Sequence, residues 1–232
     1  RGYLVTFRKT DPLYVLDFSQ PDQPKAIGEL EIEGYSDYLH PIGENYLLGI
    51  GKDAIADERG EFGGAFYQGL KVSLFDVSSG DDLREVSSVV IGKRGTESSV
   101  LYDHHALAFL ANGDLATLAI PVQFNDQEID SIFLDYSQPQ AHYGWTHTGL
   151  YTFNINTGEQ PGIEIQGQLI TDIANNECNQ KAEIGVLIDI SESLCLNNQG
   201  QNTYYDRAVI QGESVHYIHN NEVFSSLIDD LQ

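Results

Sequence analysis

Methionine is absent from these 232 residues, tryptophan occurs once and cysteine only twice. Cationic side chains are scarce as well: twelve Lys and Arg stand against 35 Asp and Glu, a formal net charge of -23. So anionic a chain repels phosphate backbones and anionic lipid, which sets nucleic acid and membrane surfaces aside as partners. The longest purely apolar run, Ala106 to Ala111, has six residues, against the ~20 that a membrane-spanning helix needs. No window of a dozen residues keeps a helical apolar stripe, which excludes a helical bundle. With Arg at the first position and no Met, the chain is expected to be a processed or trimmed product, and any signal peptide or lipid-anchor Cys would lie outside it.

What is present is enough for a core. The 41% apolar and 10% aromatic content rules out intrinsic disorder. The acidity is uneven: residues 1–94 carry 16 acidic and ten basic side chains, and the remainder 19 acidic against only Lys181 and Arg207. Such a surface suits a salty exterior or attracts cations and basic partners. Cys178 and Cys195, in a polar stretch of Asn, Gln and Ser, are expected to form a disulfide, which places the protein in an oxidising compartment outside the cytoplasm.

Alternating apolar and polar runs of five to eight residues, punctuated by Gly, Asn, Asp and Pro, predict an all-β chain. One hairpin type occurs at Pro12–Ser19 with Lys25–Ile32, at Gly69–Ser78 with Leu83–Ile91, and more weakly at Gly149–Asn156 with Ile163–Thr171; its first strand ends in Asp or Asn. A second type, Tyr35–Ile42 with Tyr46–Ile50 and Leu101–Leu110 with Leu115–Val122, alternates with it, the latter turning on Asn112-Gly113-Asp114. Arg207–Gln211, Ser214–Ile218 and Glu222–Ile228 complete the series. With the strands of a unit labelled A to D, the chain reads BCD, ABCD, ABCD, ABC, or 14 strands. Four-stranded antiparallel units at this spacing predict a β-propeller, with strand A lining the central channel; a β-sandwich is the alternative. Three and a half blades do not close a ring of typical size, so the domain is expected to be part of a larger ring. If no further blades exist, self-association through the open end blades would complete it.

Gly2–Ser19, Gly34–Pro41, Gln68–Ser78, Leu101–Ala106 and Trp145–Tyr151 together resemble the bacterial secreted proteins with a C-terminal β-propeller domain distantly related to WD repeats. The resemblance spans most of residues 1–171. It implies the propeller fold and export, and no catalytic residue is carried over with it.

Three insertions, 53–68, 123–148 and 172–204, fall at B-to-C and D-to-A connections, which in an antiparallel blade share one face. Long loops of this kind serve recognition or are pinned by their own side chains. The insertions hold Tyr136, Tyr143, Trp145 and His147 as candidates for a ligand or partner face. Strand A begins three times with Tyr followed closely by Asp, which points to Asp37, Asp103 with its neighbour His104, and Asp206 at the channel mouth. These carboxylates either staple incoming loops or offer oxygens to a hard cation, and Asp103 with Asp206 is the first Ca²⁺ candidate. Asp126, Glu128 and Asp130 alternate in an insertion and form the second.

Histidines make little of a transition-metal case by spacing: on a strand, His104 and His105 point to opposite faces, as do His216 and His219. Only His142 and His147, beside Trp145, are placed to converge. Gly49-Ile-Gly51-Lys-Asp-Ala54 imitates a dinucleotide fingerprint without the following helix that such a site needs. No Gly-x-Ser-x-Gly elbow or His-Glu-x-x-His is present. The expected function is therefore an exported binding or interaction module for a protein or another extracellular ligand, with either no cofactor or bound Ca²⁺. The rivals are a propeller enzyme, a hydrolase or lyase on an extracellular polymer using Asp103, His104, His147 or Asp206, and a purely structural envelope domain.

Overall fold

A computed structural model describes residues 1–6, 11–61, 64–80, 82–129, 134–174 and 203–231, with Asp11 and Glu61 described by backbone alone. The strands are β1 (Gly2–Val5), β2 (Asp11–Asp17), β3 (Lys25–Ile32), β4 (Tyr35–Ile42), β5 (Tyr46–Glu61), β6 (Ala65–Asp76), β7 (Arg84–Ile91), β8 (Ala108–Asn112), β9 (Leu115–Gln127), β10 (Gly144–Asn156), β11 (Gly162–Ile173), β12 (Arg207–Gln211), β13 (Ser214–His219) and β14 (Glu222–Leu227). They form four antiparallel meanders of three, four, four and three strands, each in chain order: β1–β3, β4–β7, β8–β11 and β12–β14. Helix among the described residues is confined to short 3-10 turns, and no helix there is long and apolar enough to cross a membrane.

The sheets bury their faces against each other in succession. Leu13, Val15 and Ile32 of the first sheet meet Leu47 and Phe75 of the second. Leu48, Val72 and Leu74 of the second meet Leu118, Ile120 and Phe153 of the third. Ala119 and Leu150 of the third meet Ala208, Val215 and Tyr217 of the fourth. The sequence cause is a period of two in which both sets are apolar: Leu47 and Leu48, or Phe75 and Leu74, are neighbours that point to opposite faces and are buried in different interfaces. A core split into successive sheet-to-sheet layers is the packing of propeller blades.

Turn chemistry sets the hairpins. The β4–β5, β8–β9 and β12–β13 turns place Gly43, Gly113 and Gly212 at φ +60°, +63° and +60°, a left-handed conformation that glycine adopts without a Cβ penalty. The Asp or Asn that closes the other hairpin type folds back on its own turn. Asp17 accepts from the Ser19 N–H at 2.8 Å, Asp76 from the Ser78 N–H at 3.0 Å, and Asn156 from the Gly158 N–H at 2.8 Å.

Three expectations are corrected here. Within the expected insertion 53–68, residues 53–61 belong to β5 and 65–68 to β6, which pair as one long hairpin, Ala54 with Tyr67 and Ala56 with Ala65. In 123–148 the ends belong to β9 and β10, leaving 128–143 as the connection. The strand expected over Leu101–Leu110 is reduced to β8, preceded by 3-10 turns at Ser99–Leu101 and His104–Ala106. Ser98 and Asp103 accept backbone N–H groups from Val100 and His105, offering the chain local partners in place of a sheet ladder. Cys178, Cys195 and Asp130 lie outside the described residues.

Candidate functional site

Where β4 begins, and where the chain passes from the second sheet to the third, the structure forms a half-open cavity of about 310 Å³. Its walls include Tyr35 and Asp37 of β4, Lys52 of β5, Tyr67 and Gln68 of β6, Arg94, Glu97 and Tyr102 of the connecting segment, and His142. Asp37 occupies a bulge, the register between β4 and β5 shifting from Ser36–Gly51 to Tyr38–Ile50, and such a shift re-aims a side chain. Gly51 explains the Gly-x-Gly run: a Cβ there would lie 1.8 Å from the Tyr35 carbonyl oxygen. The glycines let β4 and β5 approach.

Two cations in this region are buried. Lys52 is 5% exposed; its Nζ donates to the Thr96 carbonyl oxygen and lies 2.9 Å from Glu97 Oε1. Arg94 donates from Nη1 to the Tyr67 carbonyl oxygen at 2.9 Å and from Nε to His142 Nε2 at 3.0 Å, with its guanidinium over the Phe66 ring. The Tyr102 hydroxyl donates to Glu97 Oε2 at 3.1 Å. Tyr35 stands edge-on to Tyr67 at 4.7 Å between centroids. Loss of solvation pushes the Asp37 carboxyl up to about 6, against the opposing pull of Lys52 and a hydrogen bond from Tyr35. Partial loss of solvation and the Glu97 charge push Tyr102 up to about 12, although the residue is largely exposed. The cavity thus offers ionic, hydroxyl and aromatic groups within one volume, and Asp37 is a carboxyl that changes charge near pH 6.

Of the residues expected at the channel mouth, only Asp37 lines this cavity. Asp103 begins a 3-10 turn, accepting from the His105 N–H at 3.0 Å and from Arg207 Nη2 at 2.5 Å. These partners hold its carboxyl below the ordinary range, the His105 N–H contributing most. Asp206 is 2% exposed. It accepts from the Tyr217 hydroxyl at 2.5 Å and lies 2.9 Å from His219 Nδ1, while His219 Nε2 lies 3.0 Å from Asp172. Burial raises the Asp206 carboxyl in spite of these partners. Of the expected Ca²⁺ pair, Asp103 thus faces Arg207 and Asp206 is buried against Tyr217 and His219 of the fourth sheet. Asp126, in the other Ca²⁺ set, accepts from Thr146 Oγ1 at 2.5 Å, and Glu128 is exposed beside it in sequence.

The aromatic candidates mostly fasten their own segment. Tyr136 and Tyr143 pack at 4.7 Å between centroids, and the Tyr136 hydroxyl accepts from the Ile129 N–H at 2.6 Å. Trp145 Nε1 donates to Thr148 Oγ1 at 3.1 Å. His142 sits against Arg94, and His147 elsewhere, on β10. His147 stacks on Phe124 and lies 2.7 Å from the Tyr151 hydroxyl, and burial lowers its pKa. Sequence reading missed Lys52, Arg94, Glu97 and His142 as cavity residues. Lys52 and Glu97 are 45 positions apart, and charged side chains are by default read as solvated.

The family model for the beta propeller domain matches residues 1–231. This chain belongs to that family. An uncharacterised protein of Archaeoglobus fulgidus is 40% identical over 124 residues, covering 53% of this propeller and 17% of the relative. The protein MJ1554 of Methanocaldococcus jannaschii is 46% identical over 86 residues, covering 37% of the propeller and 12% of the relative. The matched stretches are thus less than a fifth of these relatives. Both organisms are archaea, where the sequence resemblance had implied bacteria. Among solved structures, a mutant of the Synechocystis apocarotenoid oxygenase superposes on 72% of the propeller and 34% of that chain, at 7% identity and a TM-score of 0.37. At that level the likeness carries no argument about activity.

Proposed function

We propose that this propeller domain is a binding module of an exported protein, distantly related to WD-repeat propellers, and that the cavity between its second and third blades receives the ligand. The observation that carries the reading is the convergence of Asp37, Glu97, Tyr35 and Tyr102 on one half-open cavity whose lining includes buried Lys52 and Arg94. Rigid walls with a few placed polar groups are what a small-molecule site requires. A ligand with hydroxyl or amine groups matches the acceptors and the flat tyrosine faces. The excess of negative charge and the cysteine usage support export.

The test is protein-detected NMR with a panel of monosaccharides, short oligosaccharides and primary amines, on the unmodified domain and on Asp37→Asn and Tyr102→Ala. Shifts confined to the cavity residues and lost in both variants support the module. Binding that maps to another face, or turnover of a panel member, overturns it.

A further inference from the structure

Adjacent histidines on a strand would diverge, yet His104 and His105 lie on a 3-10 turn and their ring centroids are 4.1 Å apart. Together with Asp103, each offers a ligand atom, and these atoms lie within 4.8 Å of one another. Among the described residues no other set of three His, Cys, Asp or Glu side chains comes together in this way. The turn is held from two sides. The His104 ring stacks on Tyr38 of the second sheet, 5.6 Å between centroids and 7° from parallel. Arg207 of the fourth sheet fixes Asp103 through Oδ2 at 2.5 Å, leaving Oδ1 facing His105.

We propose that Asp103, His104 and His105 form a binding site for a divalent first-row transition ion of the Zn²⁺ class, placed where the second, third and fourth blades meet. Two imidazoles and one carboxylate are a borderline donor set that suits Zn²⁺, Ni²⁺ or Cu²⁺ and not Ca²⁺, which takes oxygen ligands almost exclusively. The spacing agrees. Asp103 Oδ1 and His105 Nδ1 are 2.9 Å apart, and two ligand atoms each about 2.0 to 2.1 Å from one ion are separated by roughly 2.9 to 3.4 Å, from a right-angled to a tetrahedral arrangement. An ion would there replace the proton now shared between the two atoms. With three protein ligands, the remaining positions are open to water or to a partner's side chain, the coordination state of a reactive or bridging metal and not of a closed structural one. The net charge of -23 raises the local concentration of any cation at the surface.

The test uses the chain after chelator treatment, titrated calorimetrically with Zn²⁺ and, separately, with Ca²⁺. One Zn²⁺ per chain is expected, with no Ca²⁺ heat. His104→Ala and His105→Ala should each weaken binding at least about tenfold. Arg207→Gln, which releases Asp103 Oδ2 and removes a positive charge, should bind Zn²⁺ at least as tightly as the unmodified chain. Both histidines are exposed, so the variants are expected to keep the unmodified circular-dichroism spectrum; where one does not, His105→Gln takes its place. No Zn²⁺ binding by the unmodified chain, or unchanged binding after both histidines are replaced together, overturns the site.

Discussion

Lys52 Nζ and Glu97 Oε1 meet at 2.9 Å across the join between the second and third blades, and the two ends differ in their access to water: the lysine side chain is 6% exposed and the glutamate 39%. Removing the anion strands a buried ammonium, whereas removing the cation leaves a carboxylate that water can reach. Glu97→Ala is therefore expected to cost about 3 kcal/mol, in the range for breaking a buried pair. Lys52→Met, which fills similar volume, should cost about 1 kcal/mol, chiefly from the Thr96 carbonyl left without its donor. Urea denaturation of both variants checks the order, and a larger loss in Lys52→Met would show that the pair is not organised by burial of the lysine.

Asp37 gives the opposite of ordinary acid behaviour. Its folded pKa, about 6, lies above the 3.8 of an ordinary aspartate, so in that window the folded protein holds the proton more tightly than the unfolded chain. This contribution lowers stability as pH rises from about 4 to about 6 and leaves it lower above that. Asp37→Asn should remove the dependence and stabilise the domain at pH 7 by no more than about 1 kcal/mol, because the side chain is partly open to solvent and its penalty is screened. Melting temperatures of both proteins between pH 4 and 8 decide the matter: the two curves should separate as pH rises, and parallel curves would contradict the raised pKa.

Asp76 behaves in the other sense. Its carboxyl is held below the ordinary range, first by the Ser78 hydroxyl and also by the Ser78 N–H and Arg84. The stabilisation is complete above the unfolded carboxylate pKa and is lost as pH falls through the depressed value. Asp76→Ala is expected to cost about 1 kcal/mol near neutrality and progressively less in acid, which chemical denaturation at pH 7 and pH 3 would show. An equal loss at both values would mean the aspartate acts through packing alone.

These examples also show why some of the molecule was legible in the sequence. Asp76 and Asp17 were readable because the turn they close is local, and Asp-x-Ser after an alternating run carries its own chemistry. The alternation likewise located the 14 strands of the described residues, though not all of their ends, since period two survives whether one face or both are buried. His104 and His105 were not readable: Ala106 to Ala111 looks like strand, and the Asp103 side chain that converts its approach into a 3-10 turn competes with the ladder by an amount that alternation does not report. The cavity was half legible. Tyr35, Asp37 and Tyr102 follow from the repeated Tyr-Asp pair, but Tyr67 and Glu97 do not, and burial of Lys52 and Arg94 depends on contacts 44 and 27 residues away in sequence.

The fourth blade supplies the last prediction. Asp206 holds two buried donors at once, the hydroxyl of fully buried Tyr217 and the Nδ1 of His219, itself 2% exposed. The outer nitrogen of His219 reaches Asp172, whose side chain is 26% exposed. Neither donor has water to turn to if Asp206 is removed, while Asp172 is partly replaceable by solvent. Asp206→Ala is therefore expected to cost about 3 to 5 kcal/mol, the range for one partner deleted from a buried charged network, and Asp172→Ala about 1 kcal/mol. Because Tyr217 also packs with Ala119 and Leu150 of the third blade, the loss should be local: amide exchange should quicken in β12 to β14 before it does in β4 to β7. Equal destabilisation by the two substitutions would place the weight of the network on the exposed ion pair, and uniform quickening of exchange would show that the blades do not open one at a time.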